Sequence, residues 1–157
     1  MSIDGSCRPV LRREGIRLGR VASGRHDAIG QCGRLLLELG AVEKPYLDAM
    51  YAREAETTTY LGEGVAIPHG IQAGRPYVRH TSLVVIQFPG GVDWDGHDVR
   101  LCVGIAAKDD RHLTILARLA RLLADGGAAA RLRDASEVAT VASLLRAVAE
   151  EAGSPGL

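Results

Sequence analysis

Apolar positions in this chain change period twice. Between Ser23 and Gly40, Ile29, Cys32, Leu36 and Leu39 recur at helical spacing and predict a helix with one buried face. Ser23 is placed to cap its start and Gly40 to stop it in the left-handed region. The stretch VEKPYLDAMYARE predicts a second helix. Pro45 sits in its first turn, where a missing N–H is tolerated, and Tyr46, Met50 and Arg53 fall along one stripe. The period then shortens. TTTYLGEGVAIPHG reads as short extended pieces broken at Gly62 and Gly64. HTSLVVIQFPGGV predicts a strand halted by Pro89-Gly90-Gly91, and DVRLCVGIAAK a second strand whose near-continuous apolar run implies burial on both faces. Helical spacing returns at DDRHLTILARLARLLADGG, with Ile115, Leu116, Leu119, Leu122 and Leu123 as the stripe, Asp109 or Asp110 as the cap and Gly126 as the stop. AAARLRD continues as a short helix. A last helix over ASEVATVASLLRAVAEEA buries Val138, Val141, Ala142, Leu145 and Val148.

Helices before and after a strand-rich middle predict an α/β layer protein with a mixed β-sheet covered by helices. Residues 1–14 and 152–157 lack periodicity and are expected to be tails around a single domain over residues 15–151. The length, 157 residues, suits one domain with a sizeable core. A formal net charge of zero argues against a nucleic-acid or anionic-membrane partner. Aromatics at 4% argue against stacking platforms for single strands. Cys7, Cys32 and Cys102 are an odd set without paired spacing, so reduced thiols in a cytoplasmic protein are expected, with Cys32 and Cys102 in the core. No apolar run reaches membrane-spanning length, and the polar N-terminus does not read as a signal peptide.

Within the extended middle, GVAIPHG sets His69 between a proline and a glycine. Pro68 removes an amide hydrogen and pushes Ile67 towards an extended conformation, and Gly70 opens backbone angles closed to other residues. Together they end a strand abruptly and hold the imidazole in one direction. On spacing alone, a core histidine at a strand terminus is the better reading. Two further residues shift that balance. His112 opens a helix just after a strand ending near Ala107, and such junctions bind anions. Arg53 closes a helix shortly before the His69 segment and can clamp an anion with two hydrogen bonds. Taken singly, His112 reads as a water-facing helix-start residue and Arg53 as a solvated helix-end cation. Taken together, two imidazoles and an arginine are the parts of a phosphohistidine site. Neutral imidazole is a good nucleophile near neutral pH, since its ordinary pKa is roughly 6.5. Phosphoryl transfer then needs mainly alignment and stabilisation of equatorial oxygens, which neither metal nor cofactor has to supply.

The segments YLDAMYARE, TYLGEGVAIPHG and GIAAKDDRHLTILARLARLL resemble the enzyme IIA components of the bacterial phosphoenolpyruvate-dependent sugar phosphotransferase system, mannitol/fructose superfamily. The resemblance runs from about Ile16 to about Val148. The start IRLGRVASGRHDAI and the VEKPYLDAMYARE helix are most similar to the mannitol-specific branch. The resemblance implies a mixed sheet flanked by helices on both faces. It implies that His69 is the phosphorylated histidine, accepting through Nε2, that His112 helps stabilise the phosphoryl group, and that Arg53 neutralises its charge. Glu63 falls on the acidic residue of the YLGE stretch, with a role in orienting a neighbour. The implied partners are the phosphocarrier HPr as donor and a cysteine on a cognate IIB domain as acceptor, of mannitol specificity by branch, with the domain free-standing. A shallow apolar patch for both partners is expected around His69, with Leu61, Val65, Ile67 and Ile71 as candidates and plain core positions as the other reading. One departure stands out: Asp110 and Arg111 precede the second histidine where members of the family often carry Asn and Glu.

Other readings share parts of this pattern. A regulatory nitrogen-type IIA protein or a fructose-specific IIA would use the same histidine. A metal-dependent hydrolase would recruit His69 and His112 with His80 or His97, although YVRHTS and DWDGHDV lack paired ligand spacing. His26 reads as exposed. A binding module with an inert His69 is the remaining alternative.

Overall fold

The computed structural model describes residues 9–152. Residues 1–8, with Cys7, and residues 153–157 lie outside that range. The order of elements is β1 (Leu11–Arg17), α1 (Arg25–Glu38), α2 (Tyr46–Glu56), β2 (Tyr60–Gly62), β3 (Val65–Ala66), β4 (Ser82–Trp94), β5 (His97–Ala106), α3 (Arg111–Leu123), α4 (Gly126–Arg133), α5 (Val138–Leu144) and α6 (Arg146–Ala152). A short 3-10 helix, Gln72–Tyr77, lies between β3 and β4.

The strands form one five-stranded sheet in the order β1-β4-β5-β3-β2. β1 runs parallel to β4 and β3 parallel to β5, while the β4–β5 and β2–β3 pairs are antiparallel. The sheet is therefore mixed, with helices on both faces. Alternation along the central strands explains why both faces are covered. Val84, Ile86, Phe88 and Cys102 point into a core shared with α1 and α2. Leu83, Val85, Leu101, Val103 and Ile105 point into a second core with Ile115, Leu119, Leu132, Val141 and Leu145.

The helix ends show their chemistry. α1 closes with Gly40 at φ +77°, Gly40 N–H donating to the Leu37 carbonyl and Ala41 N–H to the Leu36 carbonyl, a Schellman stop. Its start departs from expectation. Gly24 occupies the cap position, and the Ser23 N–H instead donates to Asp27 Oδ2 at 2.9 Å. Gly126 does not end α3, which stops at Leu123, but opens α4 under a cap from Asp125, whose Oδ1 accepts from Gly127 N–H at 2.9 Å. The last predicted helix is two, α5 and α6, with Leu145 leaving helical angles between them and still fully buried.

Two strand boundaries also need correction. The expected tail over residues 1–14 contains the start of β1 at Leu11. A register shift between Leu11 and Ile16 breaks the alternation there, so no period-2 signal survives. Likewise β4 does not halt at Pro89. Pro89 and Gly90 bulge outward, pairing resumes at Val92 opposite Val99, and the strand runs to Trp94. A two-residue Asp95-Gly96 turn, with φ of +54° and +94°, then folds it back into β5.

Candidate functional site

His69 lies three residues past the end of β3. Ile105 N–H donates to the Pro68 carbonyl at 2.9 Å, and a lone parallel bridge pairs His69 with Ile105. Pro68 thus accepts without needing to donate. The chain then leaves the sheet for α2. Gly70 N–H donates to Tyr46 Oη at 2.9 Å, and Ile71 N–H to the Ala49 carbonyl at 3.1 Å. Tyr46 is 3% exposed and its hydroxyl also donates to the Ile105 carbonyl at 2.9 Å, so one phenol joins the turn to β5. Burial pushes the Tyr46 pKa up to about 12, so the phenol keeps the proton it donates. A side chain at position 70 would meet the Tyr46 ring at 2.7 Å, which is why the residue after the histidine is glycine.

His69 as a residue is 7% exposed. Its Nδ1 lies 2.7 Å from the Ile67 carbonyl oxygen, which can only accept, so Nδ1 carries the proton and Nε2 a free lone pair. Its pKa is lowered, foremost by burial. The Ile67 carbonyl opposes that shift, while the Arg53 and His112 charges add to it and Glu54 opposes it.

An open cleft of about 320 Å³ lies in front of this ring. Arg53, Glu56, His69, Gln72, Arg75 and His112 are its polar lining, against Ile71, Ile105 and Ala107. His112 sits in the first turn of α3, with Nδ1 3.2 Å from the Asp109 carbonyl, and its ring centroid is 6.1 Å from that of His69. Asp110 takes the cap position of α3 without a side-chain capping bond, and Asp109 Oδ1 instead accepts from Arg111 N–H at 3.0 Å. Arg53 lines the cleft from the last turn of α2 and donates from Nη1 to the Thr57 carbonyl at 2.8 Å. The helix end and the cleft therefore share one guanidinium.

Three of the four expected site residues meet in the cleft: His69, His112 and Arg53. Glu63 does not line it. It occupies the β2–β3 turn, at the end of β3 away from His69, with φ +54°. Its carbonyl accepts from Arg133, and its carboxylate lies 3.9 Å from Arg133 Nη1. The expected apolar patch is also redistributed. Val65 and Ile67 are core residues at 1% and 7% exposure, Leu61 and Ile71 pack half-buried against the cores, and Leu113, beside His112, is 55% exposed.

Sequence reasoning passed over three contributors. Tyr46 shows in the helical stripe, but nothing local signals its reach to Gly70. Arg75 follows His69 by six positions in a stretch without periodicity. Its Nη2 lies 2.9 Å from Asp110 Oδ1 across the cleft mouth. Glu54 has a buried carboxylate that accepts from Thr59 N–H at 3.2 Å, from the Thr59 hydroxyl and from Trp94 Nε1 at 3.0 Å. The histidines of the metal alternative are dispersed. His97 stacks on Tyr60, His80 Nδ1 is 3.0 Å from Ser82 Oγ, and His97 precedes Ile105 by eight positions on β5, roughly 27 Å. His26 is exposed and stacks on Tyr51. Cys32 and Cys102 are free and buried, and burial foremost pushes the Cys102 thiol well up, away from reactive thiolate.

Residues 9–148 match the family described as phosphoenolpyruvate-dependent sugar phosphotransferase system, EIIA 2. The mannitol-specific phosphotransferase enzyme IIA component of Geobacillus stearothermophilus is 38% identical over 144 residues, which is 91% of this chain and 91% of that one. Enzyme IIA in the complex of enzyme IIAMTL and phosphorylated enzyme IIBMTL from Escherichia coli superposes with a TM-score of 0.82 at 36% identity, covering 87% of this chain and 99% of that chain. The crystal structure of IIA mannitol from Escherichia coli gives 0.80 at 38% identity, covering 85% and 97%.

Proposed function

The chain belongs to the EIIA 2 family of the phosphoenolpyruvate-dependent sugar phosphotransferase system, and on that premise we propose that it carries a phosphoryl group on His69 from phospho-HPr to a cysteine of a mannitol-specific IIB domain. The observation that carries this reading is the 2.7 Å contact between His69 Nδ1 and the Ile67 carbonyl. It fixes the tautomer and leaves Nε2 as the nucleophile, in a cleft shared with Arg53 and His112. The mannitol assignment follows the relatives of that name.

In the acceptance step the Nε2 lone pair forms a bond to phosphorus while the donor's N–P bond breaks, its electron pair returning to the donor nitrogen. The unit transferred is PO3−: Nδ1 keeps its proton and its hydrogen bond to the Ile67 carbonyl, so the ring takes up a positive charge that offsets one of the two negative charges on the phosphoryl oxygens. Arg53 meets the charge on the equatorial oxygens, and His112, with Nδ1 turned to the Asp109 carbonyl, presents Nε2 to the same group. In the second step a IIB thiolate attacks phosphorus and the Nε2–P bond breaks, restoring neutral His69. The reaction is placed in the cytoplasm, where the acceptor thiol stays reduced. Among the described residues no helix is long and apolar enough to cross a membrane.

Incubation with phosphoenolpyruvate, enzyme I and HPr tests this, with acid-labile phosphoryl read by intact mass. The wild type should gain one phosphoryl group and His69→Ala none, and a mannitol IIB should then discharge it. A wild type left unlabelled by active phospho-HPr would overturn the reading.

A further inference from the structure

Arg75 belongs to the 3-10 helix that follows His69 and lines the same cleft as Arg53, His69 and His112. Asp110 immediately precedes α3, two positions before His112. Their 2.9 Å ion pair therefore joins the two walls of the cleft at its mouth. We propose that Arg75 is a second phosphoryl-binding cation and that Asp110 is a positioning residue, holding Arg75 at the mouth while His69 is bare and releasing it to the phosphoryl group. This rests on the phosphoryl-carrier reading above.

Charge accounting carries the proposal. Two guanidinium groups, Arg53 and Arg75, line the cleft, against the carboxylate of Glu56 in the lining and that of Asp110 at the rim. With both imidazoles neutral, these charges balance. Asp109 does not enter the balance, because it lies 3.6 Å from Arg111. A phosphoryl group on Nε2 places up to two negative charges on its oxygens, one of them offset on the ring while Nδ1 keeps its proton, so the site gains a net negative charge. Arg53 already commits one N–H to the Thr57 carbonyl. Arg75 is the remaining cation of the lining, and its present partner is easily exchanged. The Asp110 side chain is 76% exposed, so water screens the pair and solvates the carboxylate once it lets go. The Arg75 side chain is 28% exposed, and its planar fork can take two phosphoryl oxygens at once. Asp110 thus lets a bare cleft hold two cations without net charge, and a phosphorylated one use both.

Four variants test this: Arg75→Gln, Arg75→Lys, Asp110→Asn and the double variant Arg75→Gln/Asp110→Asn. Each is assayed for kcat/KM of phosphoryl uptake from phospho-HPr and for the half-life of the acid-labile phosphoryl group after the donor is removed. Arg75→Gln should lower kcat/KM about tenfold and shorten the half-life several-fold, with Arg75→Lys recovering part of both. Asp110→Asn should lengthen the half-life roughly two- to threefold, and that gain should vanish in the double variant. A purely structural Asp110 would not show this dependence on Arg75. Arg75→Gln within twofold of wild type on both readouts overturns the proposal, as does an Asp110→Asn effect that persists without Arg75. An unlabelled wild type overturns the carrier reading and this one together, whereas a labelled wild type with indifferent variants overturns this one alone.

Discussion

At the scale of single residues, the site is a histidine whose two nitrogens are given different tasks by one carbonyl. The Ile67 oxygen holds the proton on Nδ1, and burial keeps the ring neutral. Because the His69 pKa is lowered, protonation should silence the nucleophile only below the ordinary imidazole value of 6.5. The acid limb of kcat/KM for phosphoryl uptake should therefore lie below 6.5. The Arg53 charge contributes to that lowering, so Arg53→Gln should move the limb upward, besides weakening uptake; a limb that stays put would separate Arg53 from the His69 titration. Tyr46 acts one step back, through Gly70. Tyr46→Phe removes the acceptor of Gly70 N–H and the donor to the Ile105 carbonyl. It should cost about 1–3 kcal/mol in urea unfolding and lower kcat/KM, with the fold retained. The sequence alone flags His69, because proline and glycine carry local meaning at a strand end, while His112 and Arg53 become candidates only when taken together with it. It does not show Tyr46 or Arg75, whose roles arise from contacts across 24 and 35 positions. Glu63 is the converse, a residue inside a recognisable stretch whose turn points it away from the cleft towards Arg133.

At the scale of elements, the cleft depends on where α2 ends. Thr57 leaves the helix in an extended conformation, and the buried Glu54 carboxylate ties that exit to Thr59 and to Trp94 at the tip of β4. Arg25, a partly exposed guanidinium, lies 3.8 Å from the same carboxylate and meets its negative charge from the surface side. Glu54→Ala would orphan the Trp94 indole N–H, since Trp94 is 0% exposed, and should cost roughly 2–3 kcal/mol in urea unfolding. Because Arg53 is its neighbour, phosphoryl uptake should fall as well. Loss of stability without loss of uptake would show that the end of α2 does not need this tie to place Arg53. Helices α1, α2 and α3 are legible in the sequence because each keeps a regular apolar stripe, even where an end signal such as Ser23 or Gly126 serves another purpose. The strands are legible where a near-continuous apolar run marks burial on both faces, as in β4 and β5. β1 escapes because its register shifts between Leu11 and Ile16, and β4 reads short because proline and glycine usually end a strand yet here form a bulge. The Asp95-Gly96 pair is the local signal that the strand turns back rather than stops.

At the scale of the whole molecule, the two cores hold the sheet rigid from both faces, and the cleft opens beyond the C-terminal ends of β3 and β5. An imidazole placed there is buried against that sheet, and its burial links protonation to folding. Above pH 6.5 His69 is neutral in both the folded and the unfolded chain and contributes no pH dependence. As pH falls through 6.5, the unfolded chain takes up a proton that the folded chain still refuses. Stability then falls, with a slope of at most about 1.4 kcal/mol per pH unit, until pH reaches the lowered folded pKa and the slope ends. His69→Gln isolates this contribution, because an amide can donate to the Ile67 carbonyl but does not titrate in this range. Urea unfolding of both proteins at about pH 7.5 and about pH 5.5 gives four free energies, and the other histidines cancel in the double difference. The wild type should lose more stability on acidification than the variant, by up to roughly 1 kcal/mol. Equal losses would mean that the folded site accepts a proton on His69 as readily as water does. The neutral state of the proposed nucleophile would then owe nothing to its place in the fold.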